Sequence, residues 1–300
     1  MKMIAPIEVT DVILTASNVV ENDHAVWSPT TTYALGARVI VLATHSIYES
    51  TVASNLDNDP TAEGTTKWVR VGSTNRWRAW DRSIGQSVTN AGSITYSLSL
   101  PGICNAVGFI GLSAGLVRVR VLDGSGVQIY DRTLGLVDAT DIHNYFTYFT
   151  ATPEYSPVAI LEDIPGYTGY TMEITVDAGV GTAKVGEIVV GKRYELGVSN
   201  EGTEIGFIDP SRRERDPYGN QIVVARLTYD VVRYRFSIAV GGEERVRRIL
   251  ARQGGGVALY YLDATLVDRG GTVLGYRPDF RAPLAAAGRS FAEIEIEGLP

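Results

Sequence analysis

The 300-residue chain is poor in the residue types that carry most redox, metal and acid–base chemistry: it has one cysteine, three histidines and three methionines. Cys104, being alone, excludes an intrachain disulfide framework and fits folding in a reducing cytoplasm; a small buried hydrophobe is its expected role. His24, His45 and His143 are widely separated, with no HExxH spacing and no cysteine cluster, so neither a metal site nor a cofactor is expected. No stretch approaches the roughly 18 apolar residues of a membrane span. The start, Met1-Lys2-Met3-Ile4-Ala5-Pro6, runs into Glu8 and Asp11 instead of an apolar segment, so membrane insertion and a secretion signal are not expected. Basic residues are not in excess either: 27 Lys and Arg face 34 Asp and Glu, a formal net charge of -7. Without a cationic footprint, nucleic acid is an unfavourable partner.

What the chain does have is 32 Gly, 16 Tyr and many Val, Thr and Ser, a composition suited to strands and tight turns. The expectation is a mainly β protein of two or three units, since 300 residues is about twice the usual single-domain length. Texture divides the chain at 1–24, an N-terminal arm; 25–74, a small module; 75–183, a β-sandwich; and 184–300, a C-terminal β domain with one short helix. In the small module, VWSPTTTYALGARVIVLATHSIYES, a polar loop and KWVRVG read as three short strands around turns. A unit this small needs Trp27, Tyr33, Tyr48 and Trp68 for much of its buried area.

The order Trp27, Tyr33, Gly36, Val39, Tyr48, Pro60, Trp68 resembles the chitin-binding type 3 modules of carbohydrate-binding families 5 and 12. The resemblance covers about one sixth of the chain and implies that Trp27, Tyr33, Tyr48 and Trp68 are candidate carbohydrate-binding residues. One departure matters. Where the family usually carries further aromatics after the central Tyr, this chain has Glu49, Ser50, Thr51, Val52, Ala53 and Ser54. Structural packing of the four rings is therefore the competing reading.

Between 75 and 183, runs such as SITYSLSL, LVRVRVLD and YTMEITVDA alternate with period two and are separated by glycine-rich turns. About eight such strands predict a two-sheet sandwich of jelly-roll type. In LVRVRVLD, Val117, Val119 and Val121 belong to one face and Arg118 and Arg120 to the other. Beyond 184, VGEIVVGKRYELG reads as a strand pair and DPSRRERDPYGN as a charged loop; IVVARLTYDVVRYRFSIAV reads as two long strands, and SFAEIEIEGLP as a terminal strand. GGEERVRRILARQGGG predicts a helix, with Val246, Ile249 and Leu250 on one face and a glycine stop. This order of elements resembles the β domains of distal-tail and tail-tip proteins of long-tailed phages. The resemblance implies a virion protein of the tail tip or baseplate, made in the host cytoplasm. It also implies partners among other tail proteins, a homo-oligomeric ring or trimer, and contact with host-surface glycan.

Two surfaces are candidates for assembly: the charged run Arg212, Arg213, Arg215 and Asp216, and the outward glutamates Glu293, Glu295 and Glu297 of the terminal strand. The second rests on the expectation that the terminal strand, or the long strands in 222–240, border the sheet and leave backbone groups to be paired by a neighbour. No nucleophile with a base can be assembled from spacing, and adjacent acids such as Glu162 and Asp163 are too common to signify, so an enzyme is not expected. The alternative reading is a secreted carbohydrate-binding or carbohydrate-active protein with an appended binding module.

Overall fold

Alternating apolar residues govern the architecture, and the protein is mainly β. In the computed structural model every residue is described except 139–142, 151–153, 216, 217, 220, 265–269, 278, 282–287 and 300. The chain opens with β1 (Lys2–Pro6) and β2 (Leu14–Ser17), then forms β3 (Arg38–Val41), β4 (Ser46–Ser50), β5 (Trp68–Ser73) and a 3-10 turn at Asn75–Trp80. Next come β6 (Val88–Ser99), β7 (Ala106–Ile110), β8 (Leu116–Leu122), β9 (Gln128–Gly135), β10 (Val137–Asp138), helix α1 (Tyr145–Thr150), β11 (Glu154–Tyr155), β12 (Val158–Leu161) and β13 (Thr171–Val185). The last part holds β14 (Glu187–Glu195), β15 (Val198–Ser199), β16 (Glu204–Ile208), β17 (Arg212–Arg215), β18 (Gln221–Val224) and β19 (Tyr229–Ala239). Helix α2 (Glu243–Gln253), β20 (Ala258–Tyr261), β21 (Thr272–Tyr276) and β22 (Arg289–Gly298) complete it.

These strands make a three-stranded sheet β3-β4-β5, a five-stranded sheet β2-β6-β13-β8-β9, and a ten-stranded sheet. The large sheet runs β12-β7-β14-β1-β20-β21-β22-β19-β15, with β16 also on β19. Ile94, Tyr96 and Leu98 of β6, Val117, Val119 and Val121 of β8, and Met172, Ile174 and Val176 of β13 are buried against Val107, Phe109, Ile188 and Val190 of the large sheet. That packing is the sandwich core. Each such side chain contributes roughly 1.5–3 kcal/mol by leaving water. Arg118 and Arg120 stand on the other face, paired with Asp131 and Glu173.

The far half of the large sheet buries Tyr234, Phe236, Ile294 and Ile296 together with Val246 and Leu250 of α2. Glu243 and Glu244 lie in the first turn of α2, where the helix dipole favours them, and Gly254 at φ 55° ends it by donating its N–H to Ala251 O. The opposite face of the sheet carries a third core around Ile4, Val189, Leu259, Tyr261 and Leu274. Successive residues of β1 thus serve two cores, Met3 one and Ile4 the other. The sheet is strongly curled: β14 and β1 separate β7 from β20, yet a Cβ on Gly108 would lie 2.1 Å from Leu259 Cδ2. Any side chain at Gly108 would have to displace the buried Leu259 side chain from its packing.

Several expectations change. Residues 2–6, read as part of an arm, pair with β14 and β20 in the interior of the large sheet, and β2 pairs with β6. The run VGEIVVGKRYELG is the end of β13 followed by the single strand β14, not a strand pair. The charged segment after Asp209 is a hairpin, β17 with β18, not a loop. The terminal strand is not a border: β22 pairs with β19 from Arg289 to Glu297 and with β21 at Gly298 and Glu297. β19 is covered on its other side by β15 and β16. Among the described residues the chain thus supplies neighbours of its own to both sides of β19 over much of its length and to both sides of β22 at its C-terminal end, where the expectation leaves them to a neighbouring subunit.

Candidate functional site

The first module positions its aromatics through the register of β3-β4-β5. Tyr48 pairs with Val39 on one side and Arg70 on the other, and Ser50 pairs with Trp68, so Tyr48 and Trp68 project to the same side of the sheet. Trp68 is buried and donates Nε1–H to Asn58 O at 2.9 Å. Tyr33 packs edge-to-face on Trp68, ring centroids 5.3 Å apart, and its hydroxyl accepts the Ser28 N–H at 2.8 Å. These two rings are tied into the module's core. Trp27 and Tyr48 are half-buried. Among the described residues neither takes part in a ring pair.

The assembly candidates separate by location. Arg212 and Arg213 on the exposed hairpin pair with Glu214 and Asp209, and Arg215 lies beside them; Asp216 is outside the described residues. Glu293 and Glu295 face Arg233 and Arg235 across the β19–β22 ladder: Arg233 Nη2 is 2.7 Å from Glu295 and Arg235 Nε 3.3 Å from Glu293. Glu297 accepts the Tyr276 hydroxyl at 3.1 Å. The three glutamates are thus engaged within the chain. Asp59 caps a turn by accepting Thr61 N–H, and Glu162 accepts from Lys2 Nζ at 2.7 Å and Tyr261 Oη at 2.9 Å. Cys104 is buried, and burial pushes its thiol up to about 11, as suits a packing residue.

A set of polar and aromatic groups that sequence spacing does not connect converges where the first module meets the sandwich. Glu21 is its anchor. The carboxylate accepts from Thr74 Oγ1 at 2.9 Å and Trp77 Nε1 at 3.1 Å, and lies 3.1 Å from His45 Nδ1. The His45 ring stacks on Trp77 with centroids 4.1 Å apart, and its Nε2 is 2.9 Å from Asp11 Oδ1. His45 is in the left-handed region, φ 48°, at the turn between β3 and β4, which aims the ring towards the sandwich. Asp23 accepts the Asn75 N–H and Arg78 Nη2, each at 2.9 Å.

Two adjoining cavities lie beside this network, about 420 Å³ and about 260 Å³, and both are lined by Glu8, Val9, Trp80 and Asp81. The larger reaches Asp11, His45, Arg70 and Trp77; the smaller ends at Arg82 and Glu187. Arg70 is fixed by donating to Ser46 Oγ at 2.9 Å and Ser73 Oγ at 3.1 Å. Trp80 is fixed edge-on to Tyr96, centroids 5.4 Å apart. Glu187 is buried, and that burial, reinforced by the negative charge of Asp81, raises its carboxyl to about 9 although it accepts the Arg82 N–H at 3.0 Å. Burial also raises Asp81, against hydrogen bonds from Ser73 and Ser83. The arrangement offers an indole, the fixed guanidinium of Arg70 and several carboxyl groups around one groove. Among the described residues no cluster of three or more metal-ligating side chains occurs.

No protein-family model matches the chain, and no curated protein matches it. Among solved structures it is similar to the lectin-binding domain of lectinolysin, a histidine mutant complexed with Lewis b, at 7% identity and TM-score 0.28, covering 39% of this chain and 82% of that one. It is also similar to SpX-3, a fucose-binding module of Streptococcus pneumoniae, at 9% identity and TM-score 0.28, covering 40% of this chain and 85% of that one. A third likeness is to a mutant of chitosan-binding module 1 of a chitosanase/glucanase from Paenibacillus sp. IK-5, at 16% identity and TM-score 0.26, covering 39% of this chain and 84% of that one.

Proposed function

We propose that the protein is a glycan-binding β-scaffold protein of a phage tail tip or baseplate, in which the small module contacts host-surface sugar and the rest docks into the tail. The observation that carries the glycan reading is the division of labour among the four module aromatics. Tyr33 and Trp68 are consumed by packing, whereas Trp27 and Tyr48 are only half-buried, and aromatic rings of their kind hold a pyranose by apolar contact. The tail setting rests on what remains of the order of elements after residue 184, the long strand β19, helix α2, β20 and the terminal strand β22, and on the arginine-bearing hairpin β17–β18, which stands clear of the cores. Assembly with other tail proteins, as a ring or trimer, would use that hairpin in place of the terminal strand.

Binding of the whole chain to a panel of cell-wall and capsular oligosaccharides, measured calorimetrically, tests the glycan part. Trp27→Ala and Tyr48→Ala are each expected to weaken binding about tenfold. A chain that binds no sugar of the panel overturns the reading. The carbohydrate-active alternative has one observation in its favour, the paired carboxyl groups Asp81 and Glu187 at the smaller cavity. Reducing-sugar release that vanishes in Glu187→Gln would replace a binding role with a hydrolytic one.

A further inference from the structure

We infer that the groove between the first module and the sandwich is a second sugar site, selective for neutral or amino-bearing pyranose units and closed to acidic ones. The inference rests on the glycan-binding reading above but uses none of the four module aromatics. Its first support is construction. Three separate stretches of chain meet at the groove: the segment after β1 brings Glu8 and Asp11, the module brings His45 and Arg70, and the turn after β5 brings Trp80 and Asp81. Three of its side chains are already held. Arg70 is fixed by Ser46 and Ser73, His45 by Glu21, Asp11 and the face of Trp77, and Trp80 by Tyr96. Preformed groups lose little entropy when a ligand arrives, which weak sugar–protein contacts require.

The second support is chemistry. A pyranose presents C–H groups on one face and hydroxyls around its rim. The half-buried indole of Trp80 fits the face; the carboxylates of Asp11 and Glu8 accept from hydroxyls, and the Arg70 guanidinium donates to them. The larger cavity, about 420 Å³, lies in the range of small-ligand sites, and the smaller one, about 260 Å³, extends it inward. Sign of charge sets the selectivity. Glu8, Asp11 and Asp81 outnumber the single arginine of the larger cavity, so a uronate or sialate would meet like charge, whereas an amine would be attracted.

The four tryptophans allow a direct test on the full chain, because each gives one indole N–H resonance assignable by single Trp→Phe variants. Three probes are titrated separately: a glucosamine oligomer, an N-acetylglucosamine oligomer and an oligogalacturonate. The expected result is saturable shifts of the Trp77 and Trp80 signals with the first two probes and none with the third. Asp11→Asn combined with Glu8→Gln should weaken the glucosamine response about tenfold. Shifts confined to Trp27 and Trp68 would overturn the groove while leaving the glycan reading intact. Shifts of Trp80 with oligogalacturonate would overturn the charge selectivity. Silence of all four signals towards all three probes would overturn the groove and count against the glycan reading as well.

Discussion

Glu187 opens β14 and is nearly inaccessible, 5% exposed, with the Arg82 backbone N–H as its hydrogen-bond donor. Its carboxyl is raised from 4.5 to about 9, chiefly by burial and then by Asp81, so it stays protonated in the folded protein at neutral pH and ionises on unfolding. Between those values the folded state binds one proton more than the unfolded chain, and stability must fall as pH rises through that window, by up to about 1.4 kcal/mol per unit. The melting temperature is therefore expected to drop between about pH 5.5 and about pH 8.5, and Glu187→Gln, neutral throughout, should flatten the drop. Identical pH slopes for the two proteins would refute this account of Glu187. The residue was illegible in the sequence for a plain reason: Arg82 and Glu187 are 105 positions apart, and no local pattern ties them. Trp27, Tyr33, Tyr48 and Trp68 were legible as a set because one small module holds them. Which of them would be spent on packing depended on where Ser28 N and Asn58 O lie, and spacing does not encode that.

At the scale of elements, the strands that alternate cleanly were readable. Val117, Val119 and Val121 are buried as their period implies, and so are Ile294 and Ile296. Helix α2 was equally plain from its acidic start, apolar face and glycine stop. Strand order was not readable, because pairing partners are chosen by non-local packing. β1 is five residues without clear alternation, yet it joins β14 to β20 and inserts Met3 and Ile4 into opposite cores. The same blindness made β22 look like a border, where it lies between β21 and β19. Removing residues 291–300 should consequently do more than weaken an assembly contact. It takes Ile294 and Ile296 from the core and strips β19 of one whole ladder, so the C-terminal half loses its cooperative fold. The milder Ile294→Ala should cost about 2–5 kcal/mol. Hydrogen exchange that leaves β19 protected after the truncation would contradict the interior placement of β22.

At the scale of the whole molecule, the question is what keeps the first module in a fixed pose so that its own rings and the groove can act together. The module enters after Asp23 and leaves at Thr74, and covalent continuity at two nearby points does not set an angle. The angle is set by two carboxylates in the segment before the module. Glu21 gathers Thr74, Trp77 and His45, and Asp23 gathers Asn75 and Arg78, so one short stretch grips both the 3-10 turn of the scaffold and the β3–β4 turn of the module. The side chains of both acids are largely covered, 10% and 12% exposed. Their removal leaves several donors without an acceptor in a poorly hydrated place, at about 1–3 kcal/mol for each group stranded. That loss falls on the junction and not on either core, since Val39, Ile40 and Ile47 of the module and the sandwich residues around Tyr96 are untouched. The Glu21→Ala, Asp23→Ala double variant should therefore remain folded in both parts but uncouple them. Calorimetry should resolve a separate transition for the module, and amide exchange should quicken at residues 43–46 and 73–80 while the strands β6, β8 and β13 keep their protection. If the double variant unfolds in one transition with exchange at the junction unchanged, then something other than these two carboxylates fixes the module to the scaffold.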